Sequence, residues 1–166
     1  MDDLSRLSLN QYTTKHLSLR AALEACLRHE IPAIGVWRDK LDEIGLNEST
    51  RLIRESGLTV SSLCRGGFFA ADSRAERTKR IADTKRAVDE AAVIGADLLV
   101  LVCGGLNGCP IADAREMIAA GIAEVLPHAK MSGIKLGIEP LHPMFAADRS
   151  IICSLREANR MANKFD

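Results

Sequence analysis

Glu139 stands where a carboxylate can do chemistry. It belongs to the run Lys135-Leu-Gly-Ile-Glu-Pro-Leu-His142, in which a short apolar strand pattern leads straight into an acid, a proline and a histidine. A glutamate at the C-terminal tip of a buried parallel strand sits on rigid scaffold and faces the mouth of a sheet, where α/β enzymes place their reacting groups. There it is suited to general acid or base work. The plainer role for such a residue is to cap a helix or pair with an arginine. His142, three residues on, can offer its ring to a substrate hydroxyl or phosphate oxygen, or simply stand in water as a loop residue.

The ends of the other strand-like runs carry the remaining candidates. Trp37 is the single tryptophan and closes Ala33 to Trp37. Its flat face suits the carbon face of a ligand, and the alternative is an aromatic that covers the rim of the core. Asn10 and Gln11 follow the first run as hydrogen-bonding groups. Cys64-Arg65-Gly66-Gly67 and Cys103-Gly104-Gly105 follow the third and fourth. Paired glycines let backbone approach a ligand closely. Two thiols alone make a poor metal site, so Arg65 is the more informative member, able to meet an anionic substrate group. Arg149 could bind an anion through both arms of its guanidinium or pair locally with Asp148. His16 is a remote candidate on the same face, whereas His29 and His128 fall near helix ends, where a protonated ring is favoured by the dipole.

Positioning these groups requires a regular succession of strand, loop and amphipathic helix. Strands are predicted at Leu7–Asn10, Ala33–Trp37, Leu58–Leu63, Leu98–Val102 and Ile134–Ile138. Helices are predicted from Ser18 to His29, through Leu52 and Ile53 to Gly57, from Ala75 to Ile94, from Ala112 to Met131, and from Ser154 to Lys164. Ser18 is placed as an N-cap, and Ser154 with Glu157 has the spacing of a capping box. Pro127 should kink or divide the fourth helix. Leu-Leu-Val-Leu-Val at 98–102 has the unbroken apolar character of a strand buried on both faces of a parallel sheet.

The chain has 166 residues, 47% of them apolar, enough to bury a core in one domain, residues 1–166. Its 22 basic and 22 acidic side chains cancel without long runs of one sign, which speaks against nucleic acid and anionic membranes as partners. The start lacks the basic and apolar regions of a signal peptide, and no run is long enough to span a bilayer, so a cytoplasmic location is expected. Five cysteines without a CxxC pair suggest reduced thiols.

Five βα units fit either an open doubly wound sheet or part of a (β/α)8 barrel. Length favours the first, but the Asn10-Gln-Tyr-Thr-Thr-Lys-His16 turn lacks the glycines of its phosphate-binding versions. Four pieces resemble the sugar phosphate isomerase/epimerase family of xylose-isomerase-like TIM barrels: Leu-Ser-Leu-Asn10, Ile34-Gly-Val-Trp37, Ala91-Ala-Val-Ile-Gly-Ala96 and Gly137-Ile-Glu-Pro-Leu-His142. The likeness runs along essentially the whole chain in the right order, and its last motif is the most specific. It implies an α/β fold of TIM-barrel type, with the first five of eight βα units present here.

The resemblance also implies that Glu139 ligates a divalent metal (Mn, Mg, Zn or Co) and acts in proton transfer beside a carbonyl. Trp37, Arg65, His142 and Asn10 would then line the pocket for a sugar or sugar phosphate. Members complete the metal site with ligands from the sixth to eighth strands, so this chain is expected to be an incomplete isomerase or epimerase, inactive alone. The alternative is a non-catalytic binding or oligomerisation module. An incomplete barrel exposes its first and fifth strands as edges, and a homo-oligomer could use them.

Overall fold

In the computed structural model, which describes residues 4–165, the strands form one sheet whose spatial order equals their chain order. Among the described residues these are β1 (Ser8–Asn10), β2 (Ala33–Trp37), β3 (Thr59–Gly67), β4 (Leu98–Val102) and β5 (Lys135–Ile138), every neighbouring pair parallel. A doubly wound sheet reverses direction at a switch point. This one does not, so its crossovers step the same way throughout, as in a barrel. The fold is α/β, an arc of a TIM-type barrel.

The helices lie against the outer face. They are α1 (Leu19–Arg28), α2 (Arg38–Asp42), α3 (Leu46–Ser56), α4 (Arg74–Val93), α5 (Ile111–Met131) and α6 (Leu155–Ala162). Outward strand residues Ile34, Val36, Leu63, Leu99 and Leu101 are completely buried in a core shared with Leu19, Leu23, Val88 and Ile118. Local signals set the helix starts as expected. The Ser18 hydroxyl accepts from the Ala21 N–H at 3.3 Å, and that of Ser154 from the Glu157 N–H at 3.2 Å. The Glu157 carboxylate in turn accepts from the Cys153 N–H at 3.0 Å.

Three expectations are corrected. The second connection holds two helices, because Arg38–Asp42 forms a short helix before Gly45 admits the longer Leu46–Ser56. β3 runs four residues past Leu63, through a segment that resembles a turn in sequence. The glycines serve packing there. A Cβ on Gly66 would lie 2.8 Å from the Thr84 methyl, and one on Gly67, at φ 111°, would lie 2.3 Å from the Val102 carbonyl oxygen. Finally, α5 continues through Pro127 as one helix. Its buried stripe extends from Ala114 and Ile118 past the proline to Ala129, so packing on both sides holds the turn that lacks one hydrogen bond.

At Gly121, α5 packs directly against Phe69 in the loop after β3. A Cβ there would stand 2.3 to 2.7 Å from three atoms of Phe69, a side chain only 1% exposed. Helix propensity favours Gly121→Ala by about 1 kcal/mol, whereas overpacking costs about 1–3 kcal/mol. The substitution is expected to destabilise the protein by up to about 2 kcal/mol, read as a lower urea midpoint with an unchanged slope. A rise in midpoint would show that Phe69 yields freely.

Candidate functional site

Register brings the candidates onto the inner face. Trp37, Cys64, Val100 and Gly137 are consecutive partners across β2 to β5. Glu139 lies two residues beyond Gly137, on the same side and nearer the mouth. Its N–H donates to the Leu101 carbonyl at 3.1 Å, which carries the ladder one residue past β5 and fixes its backbone. Its side chain borders a cavity of ≈110 Å³ together with Ser8, Asn10, Gly35, Trp37, Ser61, Ser62, Cys64 and Val100. Burial raises the Glu139 pKa, with the positive charge of Arg65 opposing it. Among the described residues the carboxylate has no hydrogen-bond partner.

Asn10 builds the aromatic wall of this cavity. Its carboxamide oxygen accepts from the Trp37 indole Nε1–H at 2.9 Å and from the Tyr12 backbone N–H at 3.0 Å. The two rings consequently stack, with centroids 4.4 Å apart and planes at 23°. Beneath them Gln11 is fully buried, and its carbonyl oxygen accepts from the Trp37 N–H at 3.1 Å. Its amide nitrogen has no partner among the described residues. Tyr12 was missed in the sequence because it falls in a 3-10 turn, Gln11–Thr14, that carries no periodic signal.

A wider cleft of ≈720 Å³ adjoins the cavity and shares Trp37 and Cys64 with it. Tyr12, Arg38, Arg65, Phe68 and Arg149 also line it. Arg38, unassigned in the sequence, is tied down by Glu90 at 2.6 Å and Asp83 at 2.9 Å, both from α4. Burial alone would lower its pKa, but the bonds to Glu90 and Asp83 outweigh that and raise it. The same guanidinium holds the Asp83 carboxyl below its usual range. The available signal was the seven-residue spacing of Asp83 and Glu90, which sets both acids on one helix face.

The remaining candidates are more dispersed. His142 is exposed, lines neither cavity, and its Nδ1 accepts from the Met144 N–H at 3.2 Å, capping the 3-10 turn Pro143–Phe145. Arg149 stacks over Phe145 at 4.7 Å, with Asp148 3.8 Å away. His128 pairs with Asp89 at 2.7 Å, and His16 is exposed. All five thiols are free. Burial, aided by the charge of Glu139, pushes the Cys64 thiol up to about 12, and burial takes Cys103 to about 12 as well.

These residues do not by themselves fit a divalent metal. Glu139 is one carboxylate, Cys64 is held as a neutral thiol, and among the described residues no group of three His, Cys, Asp or Glu side chains could hold an ion. No helix among them is long and apolar enough to cross a membrane.

The environment of Glu139 makes stability depend on pH. A carboxyl whose folded pKa is raised above its unfolded value contributes stability below the unfolded value and loses it as pH rises through the folded one. Glu139→Gln is therefore expected to raise the urea midpoint at pH 8, and this advantage should vanish at pH 3. Equal gains at both pH values would show that desolvation of the charge is not the cause.

The comparisons with known proteins agree with the fold. The model of the xylose isomerase-like TIM barrel family matches residues 23–166. Protein SMc04130 from Sinorhizobium meliloti 1021 is 47% identical, with a TM-score of 0.94 over 99% of this chain and 61% of its own. The IolI protein, solved with a bound zinc atom, is 17% identical, with a TM-score of 0.80 over 95% of this chain and 58% of its own. The 3-keto-D-glucoside 4-epimerase YcjR of E. coli is 16% identical, with a TM-score of 0.72 over 89% of this chain and 59% of its own. The last two likenesses concern fold alone. The chain spans about three fifths of the length of these proteins, and no curated protein matches it. With five parallel strands wound in one direction and a family match over most of its length, the chain belongs to the xylose isomerase-like TIM barrel family.

Proposed function

We propose that this chain forms the Glu139-bearing part of a sugar or sugar-phosphate isomerase or epimerase. The observation that carries the reading is the half-buried Glu139 carboxylate, without a hydrogen-bond partner among the described residues and facing a polar cavity at the C-terminal end of β5. A base of raised pKa is matched to removing a proton from carbon near neutral pH. Glu139 takes the proton from the carbon beside the carbonyl and the C–H electron pair enters an enediolate; isomerisation returns that proton to the neighbouring carbon while the hydroxyl proton passes between the two oxygens, and epimerisation needs a second acid to protonate the same carbon on its opposite face. Around it, the hydroxyls of Ser8, Ser61 and Ser62 and the Asn10 amide suit sugar hydroxyls, and the Trp37 face suits a sugar's carbon face.

A divalent metal, when bound, would supply Lewis-acid stabilisation of the negative charge that develops on the substrate. Glu139 is the one ligand that this chain's described residues would contribute to it. His142 belongs to this proposal at the rim, in the 3-10 turn that follows Glu139.

A second reading, an oligomerisation module, is favoured by the sheet edges. β1 and β5 each have a strand neighbour on one side only among the described residues. Sedimentation of the isolated chain distinguishes the two, since the module requires a stable dimer or larger assembly and the enzyme reading does not.

The test of activity joins this chain to the part of the S. meliloti protein that it does not match, supplies Mn, Mg, Zn or Co, and follows exchange from D2O into a panel of aldoses, ketoses and their phosphates by NMR. Deuterium is expected at the carbon beside the carbonyl, and Glu139→Gln should slow it by about 10²–10⁴-fold. A folded, metal-loaded preparation that exchanges none of the panel overturns the proposal.

A further inference from the structure

We infer that Arg65 is the docking point for an anionic group, phosphate or carboxylate, at the far end of the substrate whose carbonyl end reaches Glu139. This deepens the isomerase reading and rests on it for the position of the reacting carbon. Arg65 occupies a β-bulge. Cys64 pairs with Val100 and Gly66 with the next residue, Leu101, so Arg65 is the extra residue between them. Bulges of this kind re-aim a side chain beside a site.

The side chain is held in place without being neutralised. Its guanidinium lies over the Phe68 ring, 4.6 Å from the centroid. That platform is clamped by α4, where Arg80 donates to the Phe68 carbonyl at 2.8 Å and the Thr84 hydroxyl accepts from the Gly67 N–H at 2.9 Å. Arg65 is partly buried, yet among the described residues its five N–H donors meet no acceptor. Arg38, lining the same cleft, shows the opposite arrangement, since Asp83, Glu90 and the Arg65 carbonyl together take its five N–H donors. A partly buried guanidinium without acceptors is a fork prepared for an oxyanion.

Placement sets the geometry of the ligand. Arg65 lines the ≈720 Å³ cleft and Glu139 the ≈110 Å³ cavity, with Trp37 and Cys64 common to both. A small molecule lying along the indole therefore meets the base at one end and the guanidinium at the other. The acids of the cleft leave this end free. Asp83 is engaged by Arg38 and Arg86, while Asp39 and Asp42 are exposed, where water screens their charge.

The single tryptophan supplies the readout. Emission of Trp37 and titration heat are followed while the chain is titrated with D-fructose 6-phosphate, D-gluconate and neutral D-fructose. At least one anion is expected to bind about tenfold or more tightly than fructose, equivalent to about 1.4 kcal/mol. Which of them does so identifies phosphate or carboxylate as the partner. Arg65→Gln should bring the anions to within about twofold of fructose, and Arg65→Lys, a point charge without the fork, should retain only part of the preference. Arg28→Gln, an exposed change on α1, serves as the control and should leave the preference intact.

Equal binding of all three sugars, no binding of any, or a preference that survives Arg65→Gln in a folded variant overturns the inference. The isomerase reading fails separately. Deuterium exchange confined to neutral sugars keeps that reading and removes the anion site, whereas Arg65-dependent anion binding without exchange on any sugar does the reverse.

Discussion

A parallel sheet wound in one direction has two unequal faces, and everything else in this molecule follows from that asymmetry. Each crossover helix must return on the same side, so one face receives the helices and, among the described residues, no helix covers the other. The outer face accordingly buries Ile34, Val36, Leu63, Leu99 and Leu101 without exposure. The inner face is free to carry Ser62, Asn10 and Glu139, groups that a doubly covered sheet would have to neutralise. Strand polarity then places all the C-terminal ends at one rim, where residues far apart in sequence become neighbours.

Within that rim, charge is managed in two ways. The Arg38 cluster with Asp83 and Glu90 satisfies its own hydrogen bonds and fastens α4 to the end of β2. It is closed. The Glu139 and Arg65 side chains are open, each partly buried, each without a hydrogen-bonded partner among the described residues, and each felt by the other through space. Asn10 shows how local chemistry serves this site, because one carboxamide oxygen orients both Trp37 and Tyr12.

Much of this was legible in the chain. The apolar run at 98–102 announced a buried parallel strand, and Ser18 and Ser154 announced helix starts, because these signals depend on neighbours a few residues away. The strand-end position of Glu139 followed from the same local pattern. What escaped was set by contacts across the fold. The Cys64–Gly67 segment resembles a turn until Thr84 and Val102 are seen to leave no room for side chains at its two glycines. Arg38 and Glu90 lie 52 positions apart, so the spacing of Asp83 and Glu90 marks an acidic helix face without naming its partner. The cap that the His142 ring makes on the 3-10 turn Pro143–Phe145 likewise has no trace in the strand and helix periodicity.

The sequence by itself determined the alternation of strands and helices, the placement of an acid at the end of the fifth strand, and the resemblance to a barrel family. Those features are encoded in periodicity, capping residues and a short motif. Tertiary structure decided the strand order, the bulge that turns Arg65 into the cleft, and which charged groups are satisfied and which are left open. Such outcomes depend on which side of the sheet each crossover takes and on what lies opposite a side chain across neighbouring strands, and no window along the chain contains that information.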